Sequence, residues 1–302
     1  MYSKKLQKVF GILSNLDDEK IIINEVSRQR KEEINKIITD FPSELASVNQ
    51  DSIYLMNKRI IQSSFNKENI GRKDLFDTIM LQLTLIDSLY STQMNKRHYG
   101  IAELAEVLTI IADGSFECLK EKFLRFLLDE KHSSDIFDFK FKNCGCHHFN
   151  KFSNLLTESY GVGKNGKPKG HAISLISKYA YFLTECRFPI YDSVVKEVYP
   201  LIWKYLLFTK CPRINTEDLP AYIIAIDCLR KELGNNVSYD SLDIFLWYLG
   251  KIKRGNMSGI LSVDDYIKYG TSFDIKNVNL NSLPFLKPGS VTFNLFSLAQ
   301  KI

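Results

Sequence analysis

Two side chains near the middle of the chain, Lys178 and Asp192, have the types and spacing for amine and acid chemistry. Asp192 follows the apolar turn Pro-Ile-Tyr and precedes a helical pattern, so it occupies the position of a helix N-cap. A carboxylate there can stabilise developing positive charge, accept a proton or orient water. Lys178 lies 14 residues earlier and offers an amine nucleophile. The alternatives are a simple capping residue and a lysine on the solvated face of an amphipathic helix.

Three separated segments place further polar residues in a distinctive order: LYSTQMNKRHYGIAELAEVL over 89–108, SYGVGKNGKPKGHAISLISKYAYFL over 159–183, and RFPIYDSVVKEV over 187–198. A helix opening with Ser-x-Gln, a glycine hairpin entering a helix, and an apolar turn ending in Asp resemble the helix-hairpin-helix DNA glycosylases. The resemblance covers roughly residues 75–253. It implies an all-α, helix-hairpin-helix glycosylase-like fold, with two helical subdomains around a DNA-binding cleft.

The resemblance also implies roles for individual residues. The segment PIYD is similar to a V-P-V-D-like turn of that family, which makes Asp192 the catalytic carboxylate. Ser91 and Gln93 match the Ser-x-Gln opening, and Gln93 precedes Asp192 by 99 residues, close to the separation in the family. Because the target base must leave the duplex, Gln93 is expected to fill the space that it vacates. The alternative is a solvated polar residue at a helix start.

The family divides by whether a lysine joins the acid: with lysine an amine attacks the sugar, and without it water attacks. Lys178 is about one helical turn short of the family spacing, whereas Ser174, 18 residues before Asp192, fits a lysine-free member. The pattern SKY followed by FPIYD is similar to a bacterial branch in which the lysine accompanies the aspartate, so both registers stay open. That branch includes a glycosylase active against phage with glucosylated cytosines, which implies a bulky modified cytosine as substrate and antiviral defence as the role.

Two turns are candidates for the DNA-binding hairpin. Gly161-Val162-Gly163 resembles the G-V-G turn of the family, while Pro168-Lys169-Gly170 lies directly before the next helix. Closely spaced glycines let backbone amides approach a phosphate at a helix N-terminus. The basic residues that add charge there are Lys164, Lys167, Lys169 and His171. A flexible basic loop is the alternative, and a P-loop is excluded because proline stands where that motif needs Ser or Thr.

Three aromatic residues, Tyr90, Tyr181 and Trp247, are candidates for stacking on a flipped base, because an aromatic face accepts any base plane. At helical spacing such residues also form cores, which is the alternative. The predicted site therefore combines an acid, an amine and an aromatic wall.

A metal site is not expected. The segment Cys144-Gly145-Cys146-His147-His148 has soft ligands, but a structural zinc site needs a second pair of ligands elsewhere, and the sequence offers none. No cysteine lies beyond Cys228, which excludes the C-terminal iron-sulfur cluster of some glycosylases. No cofactor is expected for the chemistry.

The composition is that of an ordinary globular protein, with 45% apolar and 25% charged residues. Forty Lys+Arg against 35 Asp+Glu permit nucleic-acid binding without requiring it. The lysine-rich N-terminus lacks the features of a signal peptide, and no apolar run reaches the length of a membrane span. Six scattered cysteines indicate reduced thiols. These features predict a cytoplasmic, monomeric protein, away from membranes, whose partner is double-stranded DNA.

Helical spacing of apolar residues predicts helices over 16–40, 73–90, 98–113, 115–129, 149–159, 171–184, 192–208, 216–233 and 238–253. The first is expected to end before Pro42, and residues 270–302 are expected to be irregular or weakly extended. The predicted domains are an N-terminal helical extension (1–74), a glycosylase-like domain (75–258) and a C-terminal segment on the body (259–302). The competing classes are a catalytically inactive helix-hairpin-helix DNA-binding module and a helical protein-interaction scaffold.

Overall fold

The computed structural model is mostly α-helical, and its described residues contain no β-strand, which confirms the expected all-α class. The described residues are 16–48, 53–66, 74–90, 92, 94, 98–133, 155, 158–163, 165–167, 171–206, 219–234, 236–257, 260–261, 263–269 and 273–302. The helices are α1 (Leu16–Val48), α2 (Ile53–Ser64), α3 (Leu75–Tyr90), α4 (Gly100–Ala112), α5 (Phe116–Ser133), α6 (Ile173–Leu183), α7 (Ser193–Tyr205), α8 (Leu219–Leu233), α9 (Tyr239–Lys253), α10 (Val263–Tyr269) and α11 (Val291–Lys301). Across these ranges, no helix is both long and apolar enough to cross a bilayer.

The helices pack in two groups. Helices α2 to α6 contact one another, and α1, α7, α9 and α11 form a second set, with α8 touching α1 and α5. Helix α6 is apolar on nearly every side, and Leu175, Ile176 and Tyr179 are fully enclosed. A helix that is hydrophobic all round must lie inside the body, so α6 provides an interior platform for the polar residues that it carries.

Helix α1 runs through Pro42 to Val48, so the prediction that it ends before this proline was wrong. Proline removes one backbone hydrogen bond from a helix. The residues around it are held by the core, since Ile38 and Phe41 are almost fully buried and the Phe41 ring meets Tyr248 edge-on at 5.1 Å. Burial of these side chains offsets the lost hydrogen bond. Helix propensities, which are assigned residue by residue, do not include this stabilisation.

The C-terminal segment is more regular than expected. Residues 291–301 form α11, which packs on α1 and α9, so the expectation of an irregular end was wrong for this stretch. Ser290 caps the helix by accepting from the Phe293 amide, and Glu44 accepts hydrogen bonds from the Val291 and Thr292 amides at 2.7 and 2.8 Å. A carboxylate on another helix thus supplies part of the cap, which no local pattern indicates. The predicted helix at 149–159 lies largely outside the described residues.

Helices α7 and α9 approach each other closely at Gly250. A Cβ at this position would lie 2.2 Å from Val194 Cγ1 and 3.2 Å from the Val194 carbonyl oxygen. One helical turn further, the Arg254 guanidinium binds both carboxylate oxygens of Glu197, at 2.8 and 2.5 Å. Together, the approach at Gly250 and this ion pair hold the first two turns of α7 against α9, and so determine where the residue that caps α7 lies.

Candidate active site

Asp192 caps α7, as its sequence position predicted. Its backbone is extended (φ −136°, ψ 142°), and Oδ1 accepts a hydrogen bond from the Val194 amide at 2.7 Å. The second oxygen, Oδ2, lies 3.5 Å from the Lys178 ammonium, and the side chain is 18% exposed. Capping therefore occupies one carboxylate oxygen and leaves the other beside an amine, at the edge of solvent.

The turn before α7 is held on α6 by hydrogen bonds. The Tyr191 amide donates to Ser177 Oγ at 2.9 Å, and Ser174 Oγ donates to the Tyr191 carbonyl at 3.2 Å. From the other side, the Tyr222 hydroxyl donates to the Ile190 carbonyl. Since each of these groups is buried or half-buried, the turn is fixed between α6 and α8, and the carboxylate that follows it is held in place.

Lys178 is 3% exposed, and its ammonium is surrounded by identified partners. Nζ lies 3.0 Å from Ser174 Oγ, 3.5 Å from Asp192 Oδ2 and 5.6 Å from the centre of the Tyr90 ring. The sequence left open whether Lys178 or Ser174 accompanies the acid. The structure places Lys178 beside Asp192 and Ser174 beside Lys178, because the two lie four residues apart on one face of α6.

A second carboxylate, Asp243 on α9, belongs to the same cluster and was missed in the sequence analysis. Its residue is 8% exposed, and Oδ2 accepts a hydrogen bond from the Tyr54 hydroxyl at 3.2 Å. Burial, together with the negative charge of Asp192, raises the pKa of Asp243 to about 7. At neutral pH this side chain is therefore divided between its acid and carboxylate forms.

A signal for Asp243 was present in the sequence. The segment 242–249 is otherwise apolar or aromatic, and an aspartate within it is unusual because buried carboxylates are rare without partners. Asp243 also precedes Trp247 by one helical turn, which places the two side chains on the same face.

Aromatic rings connect the two carboxylates. The Tyr54 ring stacks on Trp247 at 4.5 Å and meets Tyr90 edge-on at 6.1 Å. The Tyr90 hydroxyl is buried beside Tyr54. The Lys251 ammonium lies 5.1 Å from the centre of the Trp247 ring, and burial lowers the pKa of this lysine. Tyr90 and Trp247, both predicted to line a base pocket, thus border the cluster.

Tyr181, the third predicted pocket residue, lies in the core. It is 1% exposed, and its hydroxyl donates to the Asp240 carboxylate, which also pairs with the buried Lys58. The Lys58 ammonium lies 5.6 Å from the centre of the Tyr181 ring. This arrangement fits the alternative of a core aromatic, since both the hydroxyl and one ring face of Tyr181 are engaged within the protein.

The glycine turn predicted to grip a phosphate is described from Gly161 to Gly163. The Gly161 amide donates to the Glu103 carboxylate at 2.6 Å, and the Gly163 amide donates to the Lys167 carbonyl at 2.9 Å. The Val162 amide donates to the His98 carbonyl, and the His98 amide donates to the Val162 carbonyl. These amides are engaged inside the protein, so a phosphate contact would fall to the side chains of the loop.

The N-terminus of α6 lies directly after this loop. Its first residue follows Ala172, no side chain caps it, and its first turn carries no acidic residue. Lys167 and His171 are both exposed nearby in sequence, and the His171 ring Nδ1 lies 3.1 Å from the Glu158 carbonyl. The start of a helix attracts anions, so this end of α6 has the polarity for a phosphate.

Several predicted site residues lie outside the described residues: Ser91, Gln93, Lys164, Lys169 and Gly170. The segment Cys144 to His148 also falls there. Within the described part of the chain, no group of His, Cys, Asp and Glu is arranged to hold a metal ion.

Two clefts lie away from the cluster. One, of about 650 Å³, is bordered by Glu44, Phe285 and Lys287, and the other, of about 740 Å³, by Phe182 and Cys186. Neither is lined by the two carboxylates or the lysine described above.

Comparison with known proteins adds no assignment. The chain matches no protein-family model, no curated protein and no solved structure. The function is therefore argued from the arrangement of the cluster.

Proposed function

We propose that the protein is a DNA glycosylase that flips a modified base out of double-stranded DNA and cleaves its N-glycosidic bond. The observation that carries the proposal is the Asp192 carboxylate, with one oxygen engaged in the cap and the other 3.5 Å from a buried lysine. The resemblance to the helix-hairpin-helix glycosylases supports it. We further propose that the enzyme acts as a cytoplasmic monomer without a cofactor.

In this reaction the bond from the sugar C1′ to the base breaks, and positive charge develops on the sugar ring. A carboxylate held at a set position stabilises that charge and then directs water, or an amine, to C1′. Asp192 is fixed by its cap and by the hydrogen-bonded turn before it, so it needs little rearrangement to act. Lys178 orients the Asp192 carboxylate from 3.5 Å, or supplies the amine that forms a Schiff base with the sugar.

The DNA contacts in this proposal come from the loop before α6 and from the helix start. Lys167, His171 and the uncapped N-terminus of α6 carry the phosphate contacts, with Gln93 as the residue that fills the duplex. Tyr90 and Trp247 form the aromatic side of the pocket. Glucosylated cytosine of phage DNA is the substrate that we propose, on the resemblance to the bacterial antiviral branch.

The test is base release by the purified protein from duplexes that each contain one modified base, with glucosylated 5-hydroxymethylcytosine as the first probe. Freed base and abasic sites are measured by mass spectrometry. We expect Asp192→Asn and Asp192→Ser to lower base release at least about 100-fold, because asparagine and serine cap a helix but carry no charge. Both variants should keep the affinity for the duplex. Asp264→Asn, on the exposed first turn of α10, is the control that changes charge elsewhere.

A catalytically inactive DNA-binding module predicts the opposite result. In that case the wild type binds the duplexes but releases none of the bases, and Asp192→Asn behaves as the wild type does. Trapping with borohydride then assigns the nucleophile in an active enzyme: an adduct that disappears in Lys178→Ala identifies this amine, and an adduct that persists places it on another residue.

A further inference from the structure

We propose that Asp243 is the acid of the site, donating its proton to the departing base while Asp192 stabilises the sugar. This assignment rests on the glycosylase function proposed above. It extends that function from one carboxylate to two carboxylates with different tasks, a division that breaking a glycosidic bond favours.

The first argument is the charge count inside the cluster. Three carboxylates interact there with two lysines: Lys58 forms an ion pair with Asp240, and Lys178 forms one with Asp192. Within the described part of the chain, Asp243 forms no ion pair with a lysine or arginine. A buried carboxyl without its own cation is more stable when it carries a proton.

The groups that face Asp243 come from every helix around it. They are Tyr54 and Lys58 on α2, Tyr90 on α3, Lys178 and Tyr181 on α6, Asp192 before α7, Tyr222 on α8 and Asp240 on its own helix. Burial has the largest effect and raises the pKa of Asp243, while the two lysines act in the opposite direction. The balance keeps an ionisable proton available near neutral pH.

The second argument is the position of Asp243 on α9. Asp243, Trp247 and Lys251 follow one another at four-residue steps, so they form one stripe along the helix. Along that stripe the side chains change from buried to half-buried. The stripe thus leads inward from the half-buried Lys251 and Trp247 to the buried Asp243 carboxyl, and a flat base that takes the place of Tyr54 against Trp247 brings its edge to that carboxyl.

The proposed step balances as follows. The bond between C1′ and the base nitrogen breaks, and its electron pair goes to the base. The Asp243 proton passes to a ring nitrogen or exocyclic oxygen of the base, which leaves Asp243 as a carboxylate. Water adds to C1′, and the proton that it loses passes through Asp192 to solvent. A solvent proton restores Asp243, so the net reaction consumes one water and yields the free base and an abasic sugar.

The test is the pH dependence of single-turnover base release from the duplex that the wild type cleaves fastest in the panel above. We expect the wild-type rate to fall about tenfold per pH unit above about pH 7, as Asp243 loses its proton. Asp243→Asn should be slower by about 100-fold at pH 6 and should show no alkaline fall.

The pH profile of Tyr54→Phe distinguishes proton donation by Asp243 from a purely structural role, because a structural role would leave the alkaline limb where it is. Removing this hydroxyl withdraws a hydrogen bond that favours the carboxylate form, so the alkaline limb should shift up by about one pH unit. Tyr239→Phe is the matched control, because the Tyr239 hydroxyl donates to the buried Asp227 at 2.7 Å outside the cluster. It should leave the limb where the wild type has it.

The outcomes separate the two proposals. An active wild type whose alkaline limb is unchanged in both Asp243→Asn and Tyr54→Phe overturns the role of Asp243 and leaves the glycosylase intact. A wild type that releases no base from any duplex overturns the glycosylase and this role with it. Circular dichroism shows whether Asp243→Asn folds. If it does not, comparison of the alkaline limbs of Tyr54→Phe and Tyr239→Phe still tests the role of Asp243.

Discussion

Replacing Gly250 by alanine tests how closely α7 and α9 approach. The new Cβ would lie 2.2 Å from Val194 Cγ1, whereas carbon atoms in contact are about 3.5–4.0 Å apart. Val194 is β-branched and lies in a helix, so it has essentially one rotamer and cannot turn away. Overpacking of this kind costs about 1–3 kcal/mol, and alanine returns about 1 kcal/mol of helix propensity. Taking the upper end of the overpacking cost and subtracting the gain in helix propensity, we expect the free energy of unfolding to fall by about 2 kcal/mol.

The assay is urea unfolding followed by circular dichroism, with the loss read from the midpoint at constant slope. Val194→Ala removes the methyl that clashes, so the double variant Gly250→Ala, Val194→Ala should show a favourable coupling of about 2 kcal/mol. Val198 Cγ1 lies at 3.4 Å from the same Cβ position, so Val198→Ala is the matched control and should rescue much less.

On the proposed glycosylase function, Gly250→Ala should also lower base release, because a shift of Val194 moves the amide that donates to Asp192. A raised urea midpoint in Gly250→Ala would refute the close approach of the two helices. So would additive effects in the double variant, within about 0.5 kcal/mol.

Three further predictions concern single side chains. Burial raises the pKa of Asp243 from 3.8 to about 7, so the contribution of this group to the free energy of unfolding should be full below about pH 4 and lost toward pH 7, on the order of 4 kcal/mol. The wild type should therefore lose more stability than Asp243→Asn between pH 4 and pH 7 in urea titrations. Ser177→Ala should cost about 1–3 kcal/mol, measured in the same way, because it leaves the buried Tyr191 amide without its acceptor. Glu44→Ala should cost about 0.5–2 kcal/mol and raise amide exchange in the first turn of α11, where two amides lose their acceptor.

The helical class and the cap at Asp192 were predictable because both depend on neighbouring residues. Apolar spacing over one or two turns identifies a helix that buries one face, and an aspartate before such a pattern is a good cap. The same local reasoning was wrong at Pro42 and over residues 291–301. There the helix is stabilised by contacts with distant parts of the chain, such as Phe41 with Tyr248 and Glu44 with the start of α11.

By itself, the sequence determined the all-helical architecture, the cap, and the presence of an amine 14 residues before the acid, because periodicity and capping act within a few residues along the chain. Only the tertiary structure decided which side chains meet. It placed Lys178 between Ser174 and Asp192, enclosed Tyr181 in the core, and brought Asp243 from a distant helix to the same cluster. The physical reason is that burial and charge coupling depend on distance through space, which the order of residues along the chain does not encode directly.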